Sequence, residues 1–207
     1  YGGGGIYIGN PIAVTNRNNI IWATGAGRYA LVRYTHMDRW YASGIFASDN
    51  NLIFATGGAS FSSWLGRQND LLEWRASTGQ DEHSFTANPL FVNPSGADGT
   101  IGGTNGWDDN FHLASTASSY KGLPFTALTP AGFTADSSHS PCIDAGLPAS
   151  AIGSEQAPNG GRIDLGAFGA TADASFSTGA RTVELGLIAG GSALRGTVPI
   201  YWWTHGP

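Results

Sequence analysis

The sequence is poor in sulfur and in positive charge. Among 207 residues there is one cysteine, Cys142, and one methionine, Met37. A single cysteine excludes an internal disulfide and a thiolate metal site, and Cys142 is read as a buried structural thiol. Only 12% of the residues are charged, Lys121 is the sole lysine, and the remaining basic residues are arginines scattered through a chain of net charge −5. No basic stripe is present to neutralise a phosphate backbone, so nucleic acid is not an expected partner. Long apolar runs are also missing. A short stretch such as Leu185 to Ala189 falls far short of the roughly 18 residues that read as a membrane span, and no span is expected within this chain.

What is present is glycine, 31 residues of it, together with 41% hydrophobic side chains and seven tryptophans. That is enough apolar material for one substantial core, or one core plus a fragment, and it argues against wholesale disorder. The opening Gly2 to Gly5 runs straight into Ile6-Tyr7-Ile8 with no basic or apolar leader region, which reads as an excerpt or a processed product.

An internal repeat organises the first part of the chain. Asn18-Asn19-Ile20-Ile21-Trp22-Ala23-Thr24-Gly25 recurs as Asn50-Asn51-Leu52-Ile53-Phe54-Ala55-Thr56-Gly57, an offset of 32 residues. In each copy a polar Asn pair precedes a short β-branched and aromatic strand that stops at Gly, the pattern of a turn feeding a strand. Tyr29 to Tyr41 is a further β-rich run, so each period holds more than one strand. A period of this kind suits a β-solenoid, whose coils stack about 4.8 Å apart, with the Asn side chains forming a ladder at the corner. A β-sandwich is the competitor; it also gives short strands at regular spacing but supplies no reason for a repeated word.

From Ser60 onward the pattern changes. Asp70 with Glu73 three residues later is a capping-box signature, and Leu71, Leu72, Trp74 and Ala76 followed by Gly79 complete a short helix, a lateral excursion or lid. Asp81 to Val92 is expected to return to strand. Ser95 to Asp109 and Ser115 to Ser140 read as loops, and the segments 141–146 and 162–169 as strand and turn.

The motifs Thr78-Gly79-Gln80-Asp81-Glu82-His83-Ser84, Asn88-Pro89-Leu90-Phe91-Val92, Phe111-His112-Leu113 and Ser140-Pro141-Cys142-Ile143-Asp144-Ala145-Gly146 follow in order. Glu155 and the run Pro158 to Ser175 complete the series. Together with Gly3-Gly4-Gly5-Ile6-Tyr7-Ile8 and the Asn-Asn words, it resembles the C-terminal end of right-handed parallel β-helix proteins found in large secreted and cell-surface bacterial proteins. The resemblance covers roughly residues 1 to 175. It departs from the family pattern at Asn88, where Asp is usual, and at Asp164, where Asn is frequent. It implies an all-β fold, a right-handed parallel β-helix of about four coils with one capping or lateral helix, and an extracellular or cell-surface setting. After Ser175, Arg181 to Ile188 and Thr197 to Thr204 alternate as strands, and this part is similar to the opening of an immunoglobulin-like module. Residues 1–175 are thus expected to form the β-helix end and its cap, and 176–207 a C-terminal β extension or donor strand. Two strands are too few for an independent sandwich.

The chemistry is less specific. Tyr34, His36, Asp38 and Trp40 alternate onto one strand face, and aromatic rings beside polar groups make them the candidate carbohydrate-binding set. A lyase base and a glycosidase carboxylate pair are the enzymatic alternatives, but the adjacent acidic pair Asp108-Asp109 lies in a Gly-rich loop, where turn formation is the simpler role. The reading therefore leans away from an enzyme. Asp98, Asp108 and Asp109 are the candidate metal ligands, with calcium as the ion; the spacing matches no EF-hand or nonapeptide repeat, and no other cofactor is expected. Val198, Ile200, Trp202 and Trp203 are the candidate assembly residues, a strand available for addition to a partner. The functional expectation is a structural or adhesive module, assembled with copies of itself or filament neighbours. Polysaccharide binding or cleavage is the alternative.

Overall fold

A computed structural model describes residues 4–8, 13–33, 46–64, 66–102, 106–122, 132–179, 182–185 and 202–205. Among them the regular structure is mostly strand, in small sheets, with one short helix and no closed barrel. The chain divides into two compact units, Tyr1–Ala87 and Asn88–Pro207.

The first unit holds strands β1 (Gly4–Ile8), β2 (Val14–Arg17), β3 (Ile20–Thr24), β4 (Tyr29–Arg33), β5 (Phe46–Asp49), β6 (Leu52–Thr56), β7 (Ser60–Ser63) and β8 (Arg67–Gln68), then helix α1 (Leu71–Thr78). The repeated words lie in register: β2 pairs parallel with β5 and β3 with β6, placing Asn16 against Ser48 and Trp22 against Phe54. Parallel pairing of β1 with β4 and of β4 with β7 forms a third row. Parallel contact then narrows to a single bridge, Leu52 to Phe85, and β7 to β8 is antiparallel.

The Asn pair has a backbone reason. Asn18 (φ 58°) and Asn50 (φ 55°) sit in the left-handed region that Asn tolerates better than most side chains, turning β2 into β3 and β5 into β6. At the other end of the word, Gly57 combines φ 60° with a close approach: a Cβ there would lie 3.1 Å from the Gly25 nitrogen.

At the corner the expected ladder of asparagines is a mixed polar ladder. Asn16 Nδ2 donates to Ser48 Oγ (2.9 Å), which donates to Asp81 Oδ1 (2.9 Å). Asn51, fully buried, accepts from Asn19 N (3.0 Å) and donates through Nδ2 to Asn16 O (2.9 Å), Ser48 Oγ (3.2 Å) and Asp81 Oδ1 (3.2 Å). Its own N–H donates to Ser84 Oγ (2.9 Å). In this dry corner each amide needs all its partners, because an unpaired buried donor or acceptor costs about 1–3 kcal/mol.

Helix α1 forms as its caps dictate. Asp70 accepts from Glu73 N (2.9 Å), and Gly79 at φ 67° donates to Arg75 O (2.8 Å). The Glu73 carboxylate reaches back to Asn69 N (2.6 Å), one residue before the N-cap. The helix closes one end of the polar ladder: Trp74 Nε1 donates to Asp81 Oδ2 (2.8 Å), and Arg75 donates to the carbonyls of Asp81, Glu82 and Ser84. Trp74 is buried among Ile21, Leu31, Ile53, Phe61 and Leu71, with the Trp64 ring edge-on at 5.5 Å.

In the second unit every strand pair among the described residues is antiparallel: β9 (Phe91–Asn93) with β10 (Asn110–Leu113), β11 (Ser119–Tyr120) with β12 (Phe133–Thr134), and β13 (Thr182–Leu185) with β14 (Trp202–His205). Three expectations change here. Strand between Asp81 and Val92 is limited to the Phe85 bridge and the start of β9. The loop 115–140 carries β11 and β12. The segments 141–146 and 162–169 are turns without strand, joined by the backbone bonds from Gly146 N to Ile163 O and from Leu165 N to Cys142 O (2.9 Å each) and braced by side-chain acceptors.

Candidate functional site

Tyr34, His36, Asp38 and Trp40 lie outside the described residues, as do Val198 and Ile200. Trp202 and Trp203 lie on β14, opposite Leu185 and Glu184 of β13. Trp202 (67% exposed) and Val183 (65%) leave an apolar surface on this two-stranded sheet.

Asp98, Asp108 and Asp109 each turn an oxygen onto a backbone N–H of their own loop, from Thr100 (2.8 Å), Ala97 (2.8 Å) and Gly102 (2.6 Å) respectively. This is turn formation. Among the described residues no group of three His, Cys, Asp or Glu side chains is placed to hold a metal ion.

Two arrangements look catalytic in composition but not in geometry. Ser115 lies 3.4 Å from His139 Nδ1, with Asp136 nearby, yet Ser115 is fully buried and its hydroxyl donates to Phe176 O (2.5 Å). Its oxygen also accepts from Ala117 N and Ser118 N, the role of a turn anchor and not of a nucleophile. Lys121 and Ser119 both bind Asp136. Burial works to raise the Asp136 pKa, but the hydrogen bonds from Lys121, Ser119 and Ser115 outweigh it and hold it low.

His112 is buried against Phe168, ring centroids 3.6 Å apart. Asn110 spends its amide N–H groups on Tyr120 O and Gly122 O, so its oxygen accepts from His112 Nδ1 (2.8 Å), while Nε2 faces Asp173 Oδ2 (3.1 Å). Burial lowers the His112 pKa against the opposing pull of Asp173, and Lys121 adds to the lowering. Three carboxyl groups of the second unit are also buried, those of Asp144, Glu155 and Asp164. Asp164 Oδ1 accepts from Asp144 N (2.8 Å), and Glu155 Oε1 accepts from Asp164 N (3.0 Å) and Ala170 N (2.8 Å). Burial, with the Glu155 charge second, pushes the Asp164 carboxyl well above the usual range, and burial raises Glu155. Arg162 donates to the Ala145 and Gly146 carbonyls. These groups brace turns.

The group that sequence reasoning missed lies on the first unit. Asp49 Oδ1 accepts from His83 N (2.7 Å) and Asp49 Oδ2 faces His83 Nδ1 (2.7 Å), although the two residues are 34 apart in sequence. A carboxylate only accepts, so Nδ1 carries the proton in this contact. Arg17 is the Cα partner of Asp49 in the β2–β5 register, and both side chains point outward because Asn16 and Ser48 point in. The 32-residue repeat already places Arg17 over Asp49. The third level was hidden because it reads His83-Ser84 where the first two read Asn-Asn.

No protein-family model, curated protein or solved structure matches this chain.

Proposed function

We propose that the chain is a structural or adhesive module of a secreted or cell-surface protein or extracellular filament, built on coils of a right-handed parallel β-helix. The supporting observation is the register of the repeated words, β2 over β5 and β3 over β6, with the polar ladder sealed inside the corner. Each level of such a stack presents the backbone groups that the next level needs, so coils add to coils or accept an added strand. The β13–β14 pair adds a second means of assembly. A two-stranded sheet is marginal by itself, and its exposed Val183 and Trp202 favour a partner that covers them.

Analytical ultracentrifugation and negative-stain electron microscopy across a concentration series test this. The expected result is concentration-dependent association into regular filaments or oligomers, lost in a Val183→Lys, Trp202→Lys double variant whose substitutions fall on exposed positions. Dispersed monomers at every concentration would overturn the assembly reading.

A further inference from the structure

We propose that the outer edge of β2 and β3 is the docking surface for one further parallel β-segment bearing the repeated corner, and that the opposite edge of the first unit takes none. The inference rests on the stacked reading above and gives that stack a direction.

The two edges differ. Strands β1, β2 and β3 are the end strands of their sheets, and among the described residues none has a partner on its outer side. Burial marks the same edge as uncovered. Leu31, Asn51 and Leu52 are fully buried beneath the first level, whereas their counterparts on that level are half-buried (Ile6, Ile20) or exposed (Asn19). At the other edge β8 pairs with β7, and Trp74 of α1 covers the end of the core. Arg75 completes the closure. Ser48 O accepts from Asp81 N (2.8 Å) and Asn51 O from Phe85 N (2.9 Å), but the same carbonyls one level on, those of Asp81 and Ser84, accept from Arg75. Its guanidinium stands where the N–H groups of a fourth level would.

The corner sets the chemistry of the occupant. Each level's corner N–H is accepted by a side chain of the next level, Asn19 N by Asn51 Oδ1 and Asn51 N by Ser84 Oγ. An incoming N–H is therefore met by Asn19 Oδ1, since the Asn19 Nδ2 group already donates to Asn16 Oδ1 and Arg17 O. Side-chain donors run the same way, from Asn16 Nδ2 to Ser48 Oγ to Asp81 Oδ1, and stop there because a carboxylate has no proton to pass on. The occupant accordingly offers a hydroxyl or amide donor over Asn16 and an apolar side chain over Ile20; a carboxylate in the first position would face the Asn16 oxygen. Main-chain bonds supply the affinity of such strand addition, and the corner supplies its selectivity. A second copy of this chain cannot enter head to tail, because the edge it would bring is the closed one.

A fluorescein-labelled peptide with the sequence of residues 46–57, the chain's own second-level corner, would be titrated with the full chain by fluorescence anisotropy, with backbone amide exchange followed by ¹⁵N NMR. Saturable one-to-one binding is expected. Exchange should slow at Thr15, Arg17 and Ile20, whose N–H groups face the outer edge by the alternation that turns Asn18 N and Asn19 O toward the second level. Ser48→Asp in the peptide and Asn19→Ala in the chain should each weaken binding about tenfold; Asn19 is exposed, so its truncation leaves the fold in place. No binding, a second site, equal binding of the Ser48→Asp peptide, or slowed exchange at β7, β8 or α1 in place of β2 and β3 would overturn the proposal. Dimerisation of the chain that displaces the peptide would assign the edge to a second copy and overturn it as well. Peptide binding to a chain that stays monomeric in sedimentation would keep this edge and remove the filament reading, and filaments without peptide binding would do the reverse.

Discussion

Replacing Asn51 by Ala should destabilise the first unit more than any exposed substitution on it. The side chain is fully buried and makes four hydrogen bonds, to Asn19 N, Asn16 O, Ser48 Oγ and Asp81 Oδ1. Two of these partners have other bonds: Ser48 Oγ also bonds Asn16 and Asp81, and Asp81 also accepts from Ser84 and Trp74. The Asn19 N–H and the Asn16 carbonyl would lose their bonds to the Asn51 amide inside a buried corner, at about 1–3 kcal/mol for each orphaned group. The lost packing adds to this, giving an expected total of about 3–5 kcal/mol. Urea denaturation followed by far-UV circular dichroism, with amide exchange over residues 46–56 to assign the loss to this unit, measures it. Asn19→Ala serves as the comparison, since Asn19 is exposed and its amide bonds only Asn16 Oδ1 and Arg17 O; it should cost about 1 kcal/mol or less. A loss below about 1 kcal/mol for Asn51→Ala would mean that the ladder contributes nothing beyond what water supplies, and would refute the account of the corner.

The second unit should respond to pH in two opposed ways. Asp164 has a raised pKa in the fold, from burial first and the Glu155 charge second, so its contribution is full below its ordinary value of 3.8 and is lost as pH rises through the folded value. Asp164→Asn keeps the acceptor for Asp144 N without the titration. The urea midpoint of wild type relative to this variant should therefore fall as pH rises above 3.8, and parallel profiles would contradict it. For His112 the sign reverses: burial depresses its pKa, so its contribution is present above 6.5 and is lost as pH falls below that value. His112→Gln should flatten the decline below about pH 6.5; an unchanged slope would show that His112 does not titrate differently in the folded and unfolded chain.

Sequence alone determined the elements whose causes are local. Asp70, Glu73 and Gly79 marked α1 because caps act within one turn, and the Asn-Asn words marked two corners because Asn tolerates the backbone there. The 32-residue repeat also indicated which strands pair, since closely matching words stack in register. Tertiary structure decided the rest. Nothing local says that the third level of the ladder is Asp81 and Ser84, because hydroxyl and carboxylate oxygens replace the amide there and leave no repeated word. Nor does a sequence signal join Asp49 to His83 or bury the Asp164 carboxyl, since both depend on chain segments brought together from a distance. In the second unit the turns 141–146 and 162–169 look strand-like in composition, but besides the backbone bonds of Gly146 N and Leu165 N, the N–H groups of Cys142, Asp144 and Asp164 go to the Ser140, Asp164 and Glu155 side chains. The residues around Asp164 were legible as a pattern. Whether that pattern became a strand or a braced turn depended on which acceptors the fold carried to it, and only the folded chain holds that information.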